Sequence, residues 1–429
     1  MSELSLERGI NTLKAQIDAP IASFFSSCVS CGMCASACSF YTENPEPRYT
    51  PIYKLEPMRR VWEQNFTLLG KLKVKLGIAK PVTDEMLNQW QELVYNTCSL
   101  CGRCSLICPV GNDITYMIRK LREGMVASGH VPEGLVGAST RAVKIGSPMG
   151  VKLPALQAQV KHIEKATGMQ VPFDLEGAEY LLMLSSMEIM NYPEYLEAVG
   201  KILTNAGKTW TLSSDCFEAT NSGIQIGSSD IAKELVSRVV NAAEKLKVKT
   251  VISPECGHAY TALRWEGPNL IGRPYSFAAK HIVEVLDELR EQGLLPTEGM
   301  EDAKLTFHDP CQLVRRGGVV QQPRNLLKLV ASNFVEMRDA GTLNWCCGAG
   351  GGVSANEDAN EVKMKAFQRK KKQLDELKVD TLVTACANCR IQLEEGLEEN
   401  QMDLPVVGLT ELIAEHLVER DTSSEGKLA

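Results

Sequence analysis

The sequence predicts a multidomain α+β fold, in which a helical N-terminal domain precedes two α/β modules with parallel sheets. Three observations lead to this prediction. The chain has 429 residues, which suggests two or three domains rather than one small core. Thirteen of its 15 cysteines fall into three clusters, two of them before residue 110. From about residue 178 onward, short apolar runs alternate with helical stretches, which is typical of α/β units.

Charge and composition exclude several classes of protein. Hydrophobic residues make up 44% and charged residues 23%, as in ordinary globular proteins. The formal net charge of -7 offers no basic field for nucleic acid. The N-terminus lacks the apolar stretch of a secretory signal, and no apolar run reaches the roughly 18 residues of a spanning helix. We therefore expect a cytoplasmic protein whose cysteines are reduced and bind metal, rather than a disulfide framework.

Two cysteine runs carry the chemistry of the N-terminal domain. Each has the spacing C-x2-C-x2-C-x3-C of bacterial two-cluster ferredoxins, in which three cysteines bind one cluster and the fourth binds the other. A zinc ribbon is the alternative, but two matching sets of four cysteines fit it poorly. The spacing predicts two cubane [4Fe-4S] clusters, the first bound by Cys28, Cys31, Cys34 and Cys108 and the second by Cys98, Cys101, Cys104 and Cys38.

The 59 residues between the runs are long for a minimal ferredoxin. The stretches 53–66 and 83–96 have helical periodicity, which indicates a helical ferredoxin-like domain over 1–135. The basic segment 69–80 between them is expected to be a solvated surface, with contact to a partner or membrane as the alternative. A linker over 136–177 is predicted to follow this domain.

The C-terminal two thirds contain an internal repeat. A shift of 131 residues aligns LKVKTVIS at 246–253 with LKVDTLVT at 377–384 without a gap, and it also brings Cys216 onto Cys347. Self-similarity at a fixed shift indicates duplicated structural units. Two homologous α/β modules are therefore predicted, the first over 178–295 and the second over 303–420. A flexible tail is predicted to follow over 421–429.

The second module carries five cysteines, which are Cys311, Cys346, Cys347, Cys386 and Cys389. Those at 311 and 386 each follow a predicted strand, and loops beyond the carboxyl ends of parallel strands converge on one crevice. A disulfide between adjacent cysteines is strained, so both thiols of the pair at 346 and 347 are expected to have other partners. In the first module, Glu255 and His258 stand where the second has its last two cysteines, so this module is a degenerate copy.

The spacing of these five cysteines resembles the CCG domain of heterodisulfide reductases and related respiratory iron–sulfur proteins. Joined to a helical two-cluster ferredoxin domain, the chain is similar to the D-subunit family of heterodisulfide reductases. The stretches FEATN and ECGHA are most similar to the iron–sulfur subunits of membrane-bound respiratory complexes of sulfate reducers. Iron–sulfur subunits of glycolate oxidase and anaerobic glycerol-3-phosphate dehydrogenase share the architecture and remain an alternative.

The resemblance implies that the five cysteines hold a non-cubane [4Fe-4S] cluster and act as catalytic ligands in the reduction of a protein or small-molecule disulfide or trisulfide. It implies an oxidoreductase subunit of anaerobic respiration, attached peripherally to the inner face of the cell membrane. Its partners would be a cytochrome b or quinone-interacting membrane subunit and other subunits of the complex. A pure electron relay without substrate, and a structural zinc at the CCG cysteines, are the alternatives.

Accessory residues are predicted around the CCG cysteines. Gly348, Gly350 and Gly351 lack Cβ atoms and permit close approach of the backbone to a cluster or substrate. His308 is a candidate proton donor to a departing thiolate, and a histidine that only caps the strand end is the alternative. His258 is either a packed remnant of the degenerate site or a ligand of an additional group such as a tetrapyrrole.

Overall fold

The computed structural model describes residues 3–420, so the tail predicted at 421–429 lies outside the described residues. Within that range, every helix is too short or too polar to cross a membrane. The helices are α1 Glu3–Gln16, α2 Ala19–Ser27, α3 Met33–Ser36, α4 Ser39–Thr42, α5 Glu56–Phe66, α6 Leu68–Lys75, α7 Asp84–Gln91, α8 Arg103–Leu106, α9 Ile114–Ser128, α10 Glu133–Ile145, α11 Leu153–Thr167, α12 Ser186–Asn191, α13 Glu194–Asn205, α14 Ser222–Ile226, α15 Ser229–Lys245, α16 Gly257–Thr261, α17 Gly267–Ile271, α18 Ile282–Glu291, α19 Gln322–Val330, α20 Asn360–Leu377, α21 Ala387–Glu399 and α22 Leu409–Glu415. The strands are β1 Tyr180–Leu182, β2 Trp210–Thr211, β3 Thr250–Ser253, β4 Ala278–His281, β5 Leu305–His308, β6 Thr381–Thr384 and β7 Val406–Gly408.

The described chain forms two compact units, and neither is continuous in sequence. Unit 1 contains the described residues up to Thr140 together with Ser222–Ala232 and Leu343–Gln373, and unit 2 contains the remainder. The segments 222–232 and 353–363 are related by the 131-residue shift, and both belong to unit 1. The same stretch of each α/β module is therefore part of the helical unit. The domain boundaries given by the sequence stay predictions.

Unit 1 is helical, as predicted for the N-terminal domain. The stretch 53–66 folds as the 3-10 turn Tyr53–Leu55 followed by α5, and 83–96 folds as α7 followed by a π-helical turn. Thr83 is the N-cap of α7, because its hydroxyl accepts a hydrogen bond from the backbone N–H of Met86 at 3.2 Å. The core of the unit consists of apolar side chains from its helices and helical turns, including Leu13, Ile21, Leu55, Met58, Leu87, Val94, Leu121 and Met125.

A buried arginine joins separate segments of unit 1. Arg122, on α9, is fully buried, and its guanidinium donates to the carbonyl oxygens of Val94 and Cys98 at 2.8 Å each. It donates also to the carbonyls of Gly351, at 2.6 Å, and Gln225. Burial lowers the pKa of Arg122 from its usual value, because the charged form loses its water. The four carbonyls offset this loss of hydration.

Unit 2 contains two parallel sheets, which confirms the predicted fold class. The first sheet has the strand order β2-β1-β3-β4, and the second has the order β5-β6-β7. The strands β3 and β6 occupy the same positions of the sequence repeat, and each lies between two neighbours in its sheet. The register of the second sheet pairs His308 with Thr384 and Thr384 with Gly408, at the carboxyl ends of the three strands.

Both sheets contribute to one core. Its buried members include Leu182, Ile252, Ile282 and Leu286 around the first sheet and Leu305, Phe307, Val383 and Leu409 around the second. The helix α11 adds Leu156, Val160 and Ile163 to the same core. This helix lies in the segment 136–177 that was predicted as a linker, and it packs into the core of unit 2.

Unit 2 also buries acidic side chains near its strand ends. The carboxylate of Glu255 accepts hydrogen bonds from the N–H and hydroxyl of Thr410, at 3.0 and 2.6 Å. The carboxylate of Glu188 accepts from the N–H of Ser185 at 2.8 Å and caps α12. Burial raises the pKa of both glutamates well above the ordinary value, and the nearby charge of Glu411 raises them further.

Replacing Arg122 by methionine should lower the free energy of unfolding by about 3 kcal/mol or more. Each buried acceptor that loses its donor costs about 1 to 3 kcal/mol, and four carbonyls lose theirs. Thermal unfolding of the protein purified without oxygen measures the effect. Arg264→Met is the control, because Arg264 is exposed and its replacement should change stability by less than about 0.5 kcal/mol. Equal midpoints of thermal unfolding for the two variants would contradict the stabilising role of Arg122.

Replacing Glu188 by glutamine should stabilise the protein at pH 8 and change it much less at pH 5. An acid with a raised pKa in the folded state contributes its full stability below its unfolded pKa, about 4.3, and loses it as the pH rises towards the folded pKa. Glutamine keeps an acceptor for Ser185 but removes this loss. Unfolding temperatures across this pH range measure the difference, with the exposed Glu298→Gln as control. A pH dependence identical to that of the parent would refute the argument.

Candidate metal centres

The two cysteine runs of unit 1 follow the same backbone path. They are related by a shift of 70 residues, and Ser30 and Leu100 have φ angles of 54° and 56°. Two residues later, Gly32 and Gly102 have φ angles of 79° and 77°. Positive φ at alternate positions turns the chain sharply before the short helices that follow. This turn directs the thiols of each run to one side.

Each run lines a cavity together with the last cysteine of the other run. The first cavity is lined by Cys28, Cys31, Cys34 and Cys108, and the second cavity by Cys38, Cys98, Cys101 and Cys104. These are the two sets of four that the spacing assigns to two cubanes. Four converging thiols in each cavity fit the ligand preference of a [4Fe-4S] cluster.

The surroundings of the two cavities differ in burial and charge. At the first cavity, Cys31 is exposed and Val29 is 79% exposed. Burial raises the pKa of Cys34 at the first cavity and of Cys38 at the second, and it raises that of Cys104 at the second well above the ordinary value, since burial disfavours the thiolate. The buried ammonium of Lys54 lines the second cavity and acts against the rise at Cys38. Binding of iron would release these protons from the thiols.

The loop that carries the adjacent cysteines belongs to unit 1. Cys346 lines the second cavity, and its Sγ lies 3.2 Å from the Oγ of Ser99, the residue after a ligand of that cavity. The backbone N–H of Gly348 donates to the same sulfur at 3.4 Å. Trp345 stacks on the guanidinium of Arg103, which lies 3.5 Å from the ring centroid. One sulfur of the CCG set is therefore next to the second cavity. Cys347 is buried in the same unit.

Close approach explains why residue 351 is glycine. Gly351 has a φ of 64°, and a Cβ there would lie 2.7 Å from the carbonyl carbon of Ser99. A side chain would therefore push the loop away from the second cysteine run. Gly348 and Gly352 also have positive φ, and Gly350 is buried in the same loop.

The other three CCG cysteines lie in unit 2, just beyond the ends of β5 and β6. Cys311, Cys386 and Cys389 are all buried. The side chain of Cys389 donates a hydrogen bond to Cys386 and lowers its pKa, as do backbone N–H groups that include that of Gly257. Burial acts against this effect. The direction of this pKa shift is opposite to that at Cys38.

The predicted accessory histidines lie in unit 2. His308 is fully buried at the end of β5, and one of its ring nitrogens lies within 4.8 Å of the Sγ of Cys389. Its backbone oxygen accepts a hydrogen bond from the hydroxyl of Thr384 at 3.2 Å. His258 is half-buried on α16. The roles of both side chains remain predictions.

The degenerate module contacts the intact one through the loop after β3. The backbone oxygen of Glu255 accepts from the N–H of Ala387 at 2.8 Å, while the N–H of Gly257 bonds to Cys386. Burial raises the pKa of Cys256, and it raises that of Cys216 to about 12. Both of these cysteines are therefore neutral thiols at neutral pH.

The sequence did not identify Ser99, Lys54 and Arg122 as parts of the site. At the position of Ser99, the first run has Val29, so the difference between the two runs was an available signal. Neither Lys54 nor Arg122 belongs to a motif, and only their burial beside the second run distinguishes them.

Comparison with known proteins agrees with this organisation. A family model for a 4Fe-4S dicluster domain matches residues 25–112, and the CCG model, described as a cysteine-rich domain, matches residues 305–394. The Hdr-like menaquinol oxidoreductase iron-sulfur subunit 2 of Archaeoglobus fulgidus is 27% identical, over 92% of this chain and 80% of its own. The D subunit of the dihydromethanophenazine:CoB–CoM heterodisulfide reductase of Methanosarcina acetivorans is 27% identical, over 91% of this chain and 93% of its own.

A solved structure supports the fold alone. The crystal structure of a hypothetical protein from Helicobacter pylori has a TM-score of 0.50 and 11% identity, and the match covers 85% of this chain and 69% of that chain. The resemblance to the D-subunit family of heterodisulfide reductases is confirmed, while the branch of sulfate reducers remains a prediction. Over most of its length the chain is similar to iron–sulfur subunits of heterodisulfide reductase-like oxidoreductases, and a 4Fe-4S dicluster domain precedes a CCG domain in it.

Proposed function

We propose that this chain is a cytoplasmic-side subunit of a membrane-bound respiratory oxidoreductase, and that its CCG cysteines serve the reduction of a disulfide or trisulfide. The observation that carries the proposal is the position of Cys346, which lines the second four-cysteine cavity. Electron transfer needs short distances between centres, and here a CCG cysteine forms part of the wall of a cavity assigned to a cubane. This contact supports a continuous route through unit 1.

The proposal assigns three ligand sets. The sequence spacing and the two cavities support two cubanes, and the match of the CCG model to residues 305–394 supports a third, non-cubane cluster on its five cysteines. When bound, the cubanes supply single-electron transfer and the CCG cluster supplies the site for the two-electron cleavage of an S–S bond.

Several side chains have defined tasks in this proposal. Ser99 and the N–H of Gly348 hold the sulfur of Cys346 in place and bond to it. Lys54 places a buried positive charge at the second cavity. His308 would carry a proton on a ring nitrogen to the sulfur that leaves the substrate, and its distance from Cys389 supports this role.

Cys347→Ala should remove the CCG cluster and leave both cubanes. We expect about twelve irons per chain in the parent and about eight in the variant, because each [4Fe-4S] cluster has four. Iron, sulfide and zinc analysis after purification without oxygen measures this. Cys216→Ala is the matched control, since Cys216 is a neutral thiol in the degenerate module, and it should keep about twelve. Eight irons and one zinc in the parent would show that the CCG cysteines bind structural zinc.

The same pair of proteins distinguishes an enzyme from an electron relay. Addition of candidate thiols to the oxidised parent should change an EPR signal that the Cys347→Ala variant lacks. A signal that responds to no thiol or disulfide would mean that the CCG site only passes electrons to another subunit.

Ser99→Ala should make the reduction potential of the CCG cluster more negative. When Cys346 is a thiolate ligand, the hydroxyl of Ser99 donates to its sulfur and stabilises the more negative reduced state. Loss of a hydrogen bond that contributes about 1 kcal/mol corresponds to a shift of about 40 mV in the reduction potential for one electron. A redox titration followed by EPR measures the shift, with Ser36→Ala in the first run as the control. An unchanged potential would show that Ser99 does not tune the cluster.

A further inference from the structure

The segment 66–80 of unit 1 exposes an unusual concentration of large apolar side chains. Scattered apolar residues are ordinary on a protein surface, whereas a contiguous patch indicates an interaction site. The segment includes two of the most exposed leucines of the described chain, at 88% and 72%. Its large exposed apolar residues are Phe66, Leu68, Leu69, Leu72, Val74, Leu76 and Ile78.

The orientation of α6 accounts for this exposure. The helix approaches α5 through Gly70, where a Cβ would lie 2.0 Å from the carbonyl oxygen of Glu63. Successive helix residues are rotated by about 100°, so Leu68, Leu72 and Leu76 lie about 120–160° away from Gly70. The glycine fixes one face of α6 against the protein, and the leucine face consequently points to solvent.

Interactions within the chain stabilise the helix α6. Thr67 caps α6, because its hydroxyl accepts a hydrogen bond from the N–H of Gly70 at 3.0 Å. Lys73 and Lys75 lie in the last turn, where positive charge stabilises the negative end of the helix dipole. The apolar face is therefore already arranged for contact.

The charge of this segment is opposite to that of the whole chain. Residues 66–80 include Lys71, Lys73, Lys75 and Lys80 and no acidic residue, while the chain has a net charge of -7. In the helix, Lys73 and Lys75 lie on either side of the leucine face. An apolar face with lysines at its margins is the pattern of helices that lie in the headgroup region of anionic membranes.

We propose that the segment 66–80 binds the surface of an anionic lipid bilayer, with its leucines between the lipid headgroups and its lysines at the lipid phosphates. The complementary charge favours lipid phosphate over a neutral apolar groove of another protein. This inference goes beyond the proposed function, because the chain itself contacts lipid in addition to any attachment through partner subunits.

Vesicle sedimentation of the full-length protein, purified without oxygen and containing its iron, tests the inference. We expect the protein to sediment with vesicles of phosphatidylcholine and phosphatidylglycerol and to remain in solution with phosphatidylcholine alone. Added salt should weaken the binding, because it screens the lysines. Equal binding to both kinds of vesicle, or binding to neither, would overturn the proposal.

Two variants locate the binding to this segment. The triple variant Lys71→Gln/Lys73→Gln/Lys75→Gln should bind anionic vesicles more weakly than the parent, by about fivefold for each lysine removed. Leu68→Ser/Leu69→Ser should weaken it at least tenfold, because two buried leucines are lost from the membrane. Iron content and unfolding temperature should stay at the values of the parent, since these side chains are exposed.

Matched controls come from exposed residues of unit 2. The triple variant Lys152→Gln/Lys161→Gln/Lys165→Gln removes the same charge, and Leu175→Ser removes an exposed leucine. Neither should change vesicle binding more than twofold. If these controls weaken binding as much as the variants of 66–80, the effect is one of net charge and the proposed surface is wrong. Crosslinks from Lys73 to a protein subunit in native membranes, without vesicle binding, would identify a protein partner instead.

Discussion

The arrangement of unit 1 depends on one buried cation. The guanidinium of Arg122 is a rigid planar group with five N–H donors, and burial makes each missing hydrogen bond costly. Its acceptors come from the second cysteine run, from the segment 222–232 and from the loop of residues 343–352. Because one rigid group bonds to all three, it fixes their mutual positions. The short contact between Ser99 and Cys346 follows from this arrangement.

Local features of the sequence were sufficient for the fold class, while the assignment of cysteines to individual clusters by their spacing stays a prediction. Spacing within a run is a local property, and the shift of 131 residues identified β3 and β6 as equivalent strands. The position of Cys346 beside the second cavity was not predicted, since the CCG motif presents its five cysteines as one set. That position depends on Arg122 and Gly351, whose contacts join residues more than two hundred positions apart. Such contacts leave no periodic pattern in the sequence.

The degenerate module has kept a structural task after losing its ligands. A glutamate replaces the equivalent of Cys386, and its carboxyl group bonds to Thr410 beyond β7 of the intact module. Its backbone oxygen bonds to Ala387, and the following loop donates to Cys386 itself. The raised pKa of Glu255 favours the neutral form of this acid, which makes its burial less costly. The first module therefore supports the loop of Cys386 and Cys389, whatever else it binds.

The two cysteine runs have identical spacing but unequal surroundings, and this inequality gives the proposed electron route an order. The exposed Val29 stands at the position that Ser99 occupies in the second run, so the first cavity lies at the surface and the second lies beside Cys346. A redox partner reaches exposed cofactors more readily than buried ones, because electron transfer weakens steeply with distance. Lys54 adds a buried positive charge at the inner cavity, which favours the reduced state of a cluster there. Exposure and charge thus both favour electron movement from the first cavity to the second, towards the CCG cysteines.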